Sequence, residues 1–145
     1  MWCACFLIRR QRLGQIPLKG RYPFVRFTIR SDYNHHMTIH GAGENIKKTV
    51  SSWDGVEAHP HRFGGTEFRI GKREIGHIHG DYLVDIPFPT KVRDEIVAAG
   101  EAQPHHILPE TGWVSFYLRE DGDVERAIAL LKRSYEIALK QKSGN

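Results

Sequence analysis

Two glycine-led turn signals, Gly71-Lys72 and Gly80-Asp81, bracket the run REIGHIH at residues 73–79. Glycine at the first position of a two-residue loop suits a type II′ turn, which needs a positive φ there. The flanking runs suit extended backbone. Residues 59–88 therefore read as three antiparallel strands joined by two hairpins, and the rest of the chain has to pack around that meander. This stretch holds four of the nine histidines.

A two-residue closure at Gly71-Lys72 pairs Ile70 with Arg73, Arg69 with Glu74 and Phe68 with Ile75. An opposite-charge pair beside an apolar pair is what a correct register gives. Closure at Gly80-Asp81 pairs His79 with Tyr82, Ile78 with Leu83, His77 with Val84 and Ile75 with Ile86. Side chains alternate along a strand. One face then carries Phe68, Ile75, Ile86, Val84, Thr66, His77, His79 and Tyr82. The other carries Arg69, Glu74, Glu67, Asp85, Ile78 and Leu83. The first face is the more apolar, so it is expected to face the core and to take His77 and His79 with it. Gly64 and Thr66 opposite them are small and leave room for water or a ligand.

The bland reading of His77 and His79 is two partly buried imidazoles bonded to backbone and to Tyr82. The sharper reading is a metal or acid-base site, because histidines at i and i+2 of a strand can share one metal. The spacing from Gly71 to His77-Ile78-His79 matches the opening of the cupin pattern. No glutamate follows at the required gap and the second cupin motif is absent, so that match is a coincidence. His59 and His61 repeat the i, i+2 arrangement, and His105-His106 is a third pair. Their convergence would make a transition metal the leading cofactor. Asp85 and Glu67 fall on the opposite face in this register.

At 145 residues the chain suits one domain with a core that needs no disulfide or structural metal. Its formal charge of +4 is unevenly spread. Residues 1–36 carry net +6, and residues 37–145 carry net −2. The overall basicity therefore argues for no nucleic-acid partner of residues 37–145. Both cysteines, Cys3 and Cys5, lie in the basic segment, so disulfides play no part in the core, which fits a cytoplasmic protein. The apolar run 3–8 is too short for a membrane span. Residues 22–30 alternate like a strand. The preferred domain reading is a basic N-terminal extension at 1–36, non-native or disordered, with Met37 as a natural start and 37–145 as one domain.

Residues 44–53 have helical spacing of Ile46, Val50 and Trp53. Residues 56–60 read as a short extended edge. Thr90 is a candidate N-cap for a helix over 91–99, and Gly100 suits its end. Residues 105–108 read as a short strand before the turn at 109–112. Val114, Phe116 and Leu118 alternate with Trp113, Ser115 and Tyr117. Val124, Ile128, Leu131, Tyr135 and Ala138 form a helical stripe, with Asp121 or Asp123 as cap and a polar tail from 140. The fold class is α+β: two layers, with an antiparallel sheet of about five strands, centred on the meander, against about three helices. There is no P-loop, G-x-G-x-x-G, nucleophile elbow or zinc cysteine set.

HPHRFGGTEFRIGKREIGHIHGDYLVDIPF (59–88), PHHILPETGWVSFYL (104–118) and VERAIALLKRSYEIAL (124–139) together resemble the small luciferase-domain family. The resemblance covers about residues 53–139, most of the domain and nothing before about residue 40. It implies a family name rather than a mechanism. Nothing here is similar to the large ATP-dependent or flavin-dependent luciferases. A weaker likeness, to the MmcQ/YjbR family, rests only on Trp113 and Ser134-Tyr135. The net −2 of residues 37–145 argues against carrying DNA binding over from it.

The leading expectation is a small-molecule site on the histidine-lined face. Its candidate residues are His59, His61, Arg62, His77, His79 and Tyr82, with His105 and His106. Arg62 beside Gly64-Gly65 could hold an anion. The first alternative is a metal-dependent enzyme with His77 and His79 as ligands, which requires at least three imidazoles to converge beside an open coordination position. The second is a non-catalytic interaction module working through the outer face and Trp113, which requires an exposed apolar patch.

Overall fold

The computed structural model describes residues 38–143. The readings of 1–36 as a basic extension, of 22–30 as strand-like and of Met37 as a start lie outside those residues. The described elements run α1 (Ala42–Ser51), β1 (Val56–Pro60), β2 (Thr66–Ile70), β3 (Arg73–His79), β4 (Leu83–Pro87), α2 (Thr90–Ala98), β5 (Gln103–Pro104), β6 (Trp113–Tyr117) and α3 (Asp123–Ser143). All strands pair antiparallel in one sheet of order β1-β2-β3-β4-β6-β5. The fold is the expected two-layer α+β arrangement, with six strands rather than five.

The helices supply one layer. Phe68, Ile75, Val84, Ile86 and Val114 from the strands are fully buried against Ile46, Val50, Ile96 and Leu131 from the helices. Each such side chain contributes roughly 1.5–3 kcal/mol relative to exposure. The stripe on α3 is core, as its spacing predicts, through Val124, Leu131, Tyr135 and Ala138. Two helix ends differ from expectation. Pro89 rather than Thr90 stands at the N-cap of α2. The last helix continues through the polar tail to Ser143.

Two register features reverse the expected placement of the histidines. Ile70↔Arg73 and Arg69↔Glu74 pair as predicted, but Phe68 then pairs with Gly76, not Ile75. Ile75 is the extra residue of a β-bulge. Ile75 is fully buried in the core cluster, and a Cβ on Gly76 would lie 2.5 Å from Leu131 Cδ2 of α3. Both residues thus turn toward the helices, and the alternation restarts one residue late. His77 and His79 land on the face away from the helices.

The second feature is the β3–β4 loop, which has three residues instead of two. His79 pairs with Leu83, Ile78 with Val84 and His77 with Asp85. The loop is held from outside. Asp81 Oδ2 accepts from Gly41 N–H at 2.9 Å and Oδ1 from Gly43 N–H at 2.8 Å, at the start of α1. A carboxylate there satisfies free helix N–H groups and the positive end of the helix dipole. The slip brings Asp85, expected on the other face, beside His77. Ile78 moves the other way, into the core.

Candidate metal centre

The sheet face that carries no helix among the described residues holds a cleft of about 710 Å³. His77 and His79 of β3, Asp85 of β4 and Trp113 of β6 form its floor. The loop after β1 adds His61, Arg62 and Phe63, and the loop after β5 adds His105, His106, Ile107 and Leu108. Glu67, Arg69 and Glu74 close one side.

Asp85 is the centre of this arrangement, and it is fully buried. Its Oδ1 accepts from Ser115 Oγ at 2.5 Å. Ser115 Oγ in turn accepts from His106, through Nδ1 at 3.0 Å and backbone N–H at 3.2 Å. Asp85 Oδ2 has no hydrogen-bond donor among the described residues. Three imidazole nitrogens nonetheless surround it: Nε2 of His77 at 3.4 Å, of His79 at 3.5 Å and of His105 at 3.7 Å. A buried carboxylate oxygen without a donor is costly.

The tautomers follow from the partners. His77 Nδ1 stands 2.6 Å from Glu74 Oε1 and His61 Nδ1 3.3 Å from the Gly64 carbonyl. Those oxygens only accept, so each Nδ1 donates, and in the neutral ring Nε2 keeps its lone pair. His61 and His77 stack with centroids 3.9 Å apart, and His79 stands edge-on to both. These three residues each bring a ring nitrogen within 4.8 Å of the other two.

The charges are coupled. Burial opposes protonation of His77, but Asp85 and Glu74 outweigh it and push the imidazole up to about 9. Burial, and then the neighbouring His77 charge, hold His79 below its ordinary value. Burial also lowers His105 against the pull of Asp85. Burial disfavours the Asp85 carboxylate, yet His77 and Ser115 keep it below the usual carboxylate range. Together these shifts favour an imidazolium at His77 beside the Asp85 carboxylate, and neutral rings at His79 and His105.

Residues 72–134 match the family model described as Luciferase domain. The match supports a luciferase-domain family assignment. None of the curated proteins and none of the solved structures matches the chain. The matched luciferase-domain segment, under half of the chain, contains Glu74, His77, His79, Asp85, His105 and His106. His61 and Arg62 lie before it.

Six of the candidate residues read from sequence meet in this cleft: His61, Arg62, His77, His79, His105 and His106. His59 lies on edge strand β1, its Nε2 3.1 Å from Glu57 Oε2, and does not line the cleft. Tyr82 is 44% exposed in the β3–β4 loop, its ring 6.4 Å from that of His79, and is likewise outside the lining. Arg62 lies over the Phe63 ring, 4.6 Å from its centroid. Residues 105–108, expected as strand, form a turn instead: His105 N–H still reaches the Trp113 carbonyl at 3.3 Å, and His105 Nδ1 then accepts from the Ile107 and Leu108 N–H groups. Arg69 and Glu74 face each other in register, but Arg69 Nε binds Glu67 at 2.7 Å, leaving Glu74 for His77.

The sequence reading left Asp85, Glu74, Glu67 and Ser115 out of the site. A glycine inside a strand pattern is a bulge signal. Read that way, Gly76 moves the histidines onto the face of Glu67, Arg69 and Glu74. A three-residue loop at 80–82 then adds Asp85.

Proposed function

We propose that this luciferase domain binds a divalent transition metal on the open face of its sheet and presents it to a small molecule in the cleft. The ligands in this reading are Nε2 of His77 and His79, Oδ2 of Asp85 and a ring nitrogen of His61. The observation that carries it is the Asp85 Oδ2 atom, buried, without a donor among the described residues, and ringed by imidazole nitrogens. A tetrahedral metal with bonds of about 2.0–2.1 Å separates its donors by about 3.4 Å. Nε2 of His77 and of His79 lie 3.4 and 3.5 Å from Asp85 Oδ2. Glu74 on His77 Nδ1 is the outer carboxylate that metal-bound histidines commonly carry.

Imidazole and carboxylate donors without a thiolate suit zinc, manganese, iron, cobalt or nickel. Such an ion supplies Lewis-acid or redox chemistry when bound. The chain's own part is to fix the donors, exclude water on the Trp113 side and offer Arg62 to a negatively charged group at the mouth. The test is elemental analysis of the full, untagged chain beside Asp85→Asn. Close to one metal per wild-type chain, lost in the variant with the fold intact, supports the reading. No metal in either after incubation with each of these ions would end it.

A metal-free small-molecule site is the second reading. The wide cleft favours it, with Phe63, Ile107 and Leu108 exposed at its rim. Ligand binding that survives chelator treatment unchanged would support it over the first.

A further inference from the structure

Distance alone would count His105 among the metal ligands, since its Nε2 lies 3.7 Å from Asp85 Oδ2. Its hydrogen bonds say otherwise. His105 Nδ1 accepts from the backbone N–H groups of Ile107 at 3.2 Å and Leu108 at 3.0 Å. A neutral imidazole carries one proton, and an accepting Nδ1 places it on Nε2. That nitrogen has no lone pair for a metal. His77 is fixed the other way: its Nδ1–H is directed at Glu74, and its Nε2 binds a metal once that nitrogen gives up its proton. Two buried histidines therefore face the same carboxylate oxygen, one with its Nδ1 donating and the other with its Nδ1 accepting.

We propose that His105 is a positioning residue and not a ligand: its Nε2–H faces Asp85 Oδ2 from one side at 3.7 Å and leaves the other side of that oxygen to the metal. What the oxygen then binds rests on the metal reading above; the tautomer belongs to the chain alone. The backbone supplies both locking donors. The turn after β5 thus sets the role of the side chain, as hydrogen bonds to a ligand's outer side commonly orient it toward a metal. The 3.7 Å separation lies just beyond hydrogen-bond length, so a small approach of the two groups completes the contact.

The experiment has two arms, both on the full, untagged chain. Nitrogen NMR of histidine-labelled, metal-free protein reads the tautomer, with Nε2–H at His105 expected. Cobalt(II) titration with visible spectroscopy reads the role. His105→Ala is expected to keep one cobalt per chain, with affinity lowered about 10–100-fold and a displaced visible band. His105→Gln, whose amide N–H can replace the donor, should restore the band and most of the affinity. His77→Ala should abolish stoichiometric binding. An Nδ1–H tautomer at His105 would overturn the proposal, as would His105→Ala losing cobalt as completely as His77→Ala. If the wild-type chain takes up no cobalt, the metal reading falls separately, and the tautomer still decides whether His105 is built to donate to Asp85. Should His105→Ala fail to fold by circular dichroism, His105→Gln and the NMR arm carry the decision.

Discussion

Glu74 and His77 stand three residues apart on one strand and yet share a face, with Oε1 2.6 Å from Nδ1. In a regular strand such residues point to opposite sides. The extra residue at Ile75 is what lets the carboxylate reach the ring, and the contact turns His77 Nε2 toward Asp85. Glu74→Gln is therefore expected to weaken metal binding about 10–100-fold without changing the fold. Chelator competition measures the first effect and circular dichroism the second. Unaltered affinity would show that the outer carboxylate has no part in orienting the ring.

Gly76 is the residue that makes the bulge possible. Its φ of 150° is one that side chains rarely adopt, and a Cβ there would meet Leu131 Cδ2 at 2.5 Å and Asp85 O at 3.1 Å. Gly76→Ala should destabilise the domain by about 1–3 kcal/mol in urea denaturation. It should also loosen the site, because the same backbone aims His77. A variant as stable as wild type would contradict the bulge.

The His77 charge makes stability depend on pH in the metal-free protein. Its pKa in the fold is raised from 6.5 to about 9. The stabilisation from this group is then full below about pH 6.5 and lost as pH rises through about 9. The loss is at most about 3 kcal/mol, and the urea midpoint should fall over that window. His77→Ala should flatten the fall. His79 and His105 act in the opposite sense, favouring the fold above the ordinary histidine value and losing that as pH drops.

The same charge predicts how a metal is taken up. The ion must displace the His77 proton, so affinity should rise about tenfold per pH unit between 7 and 9. Calorimetry in two buffers of different ionisation enthalpy should find close to one proton released per metal near pH 7.5. Zero release would mean that His77 is neutral or not a ligand.

Ser115 is the support of Asp85. Ser115→Ala removes the donor to Oδ1 and leaves a fully buried carboxylate oxygen without it. A cost of about 1–3 kcal/mol is expected, together with weaker metal binding as the carboxylate turns. Both are read by thermal unfolding with and without metal.

The layers of this fold were legible because alternation and helical spacing report burial directly. Val114 and Phe116 on β6 and Leu131 on α3 are core for the reason their spacing implies. The candidate site was legible only in part, because it depends on strand parity, and parity changes with a single residue. The expected register stayed regular through Gly76 and closed the next loop on two residues. Each choice was locally reasonable, and the first buried His77 while the second separated it from Asp85. Only contacts distant in sequence, Leu131 on Gly76 and the start of α1 on Asp81, select the register that forms. Residues 59–88 hold only one partner of each contact, Gly76 and Asp81. Among the described residues no helix is long and apolar enough to cross a membrane.

The most direct test of a metal centre on this face is a crystal of the full, untagged chain soaked in zinc or cobalt and measured for anomalous scattering. The expected result is one strong peak about 2.0–2.2 Å from Nε2 of His77 and His79, Oδ2 of Asp85 and a nitrogen of His61, with His105 outside bonding distance. A clean face with no peak, or a peak only at surface groups such as His59 and Glu57, would contradict it.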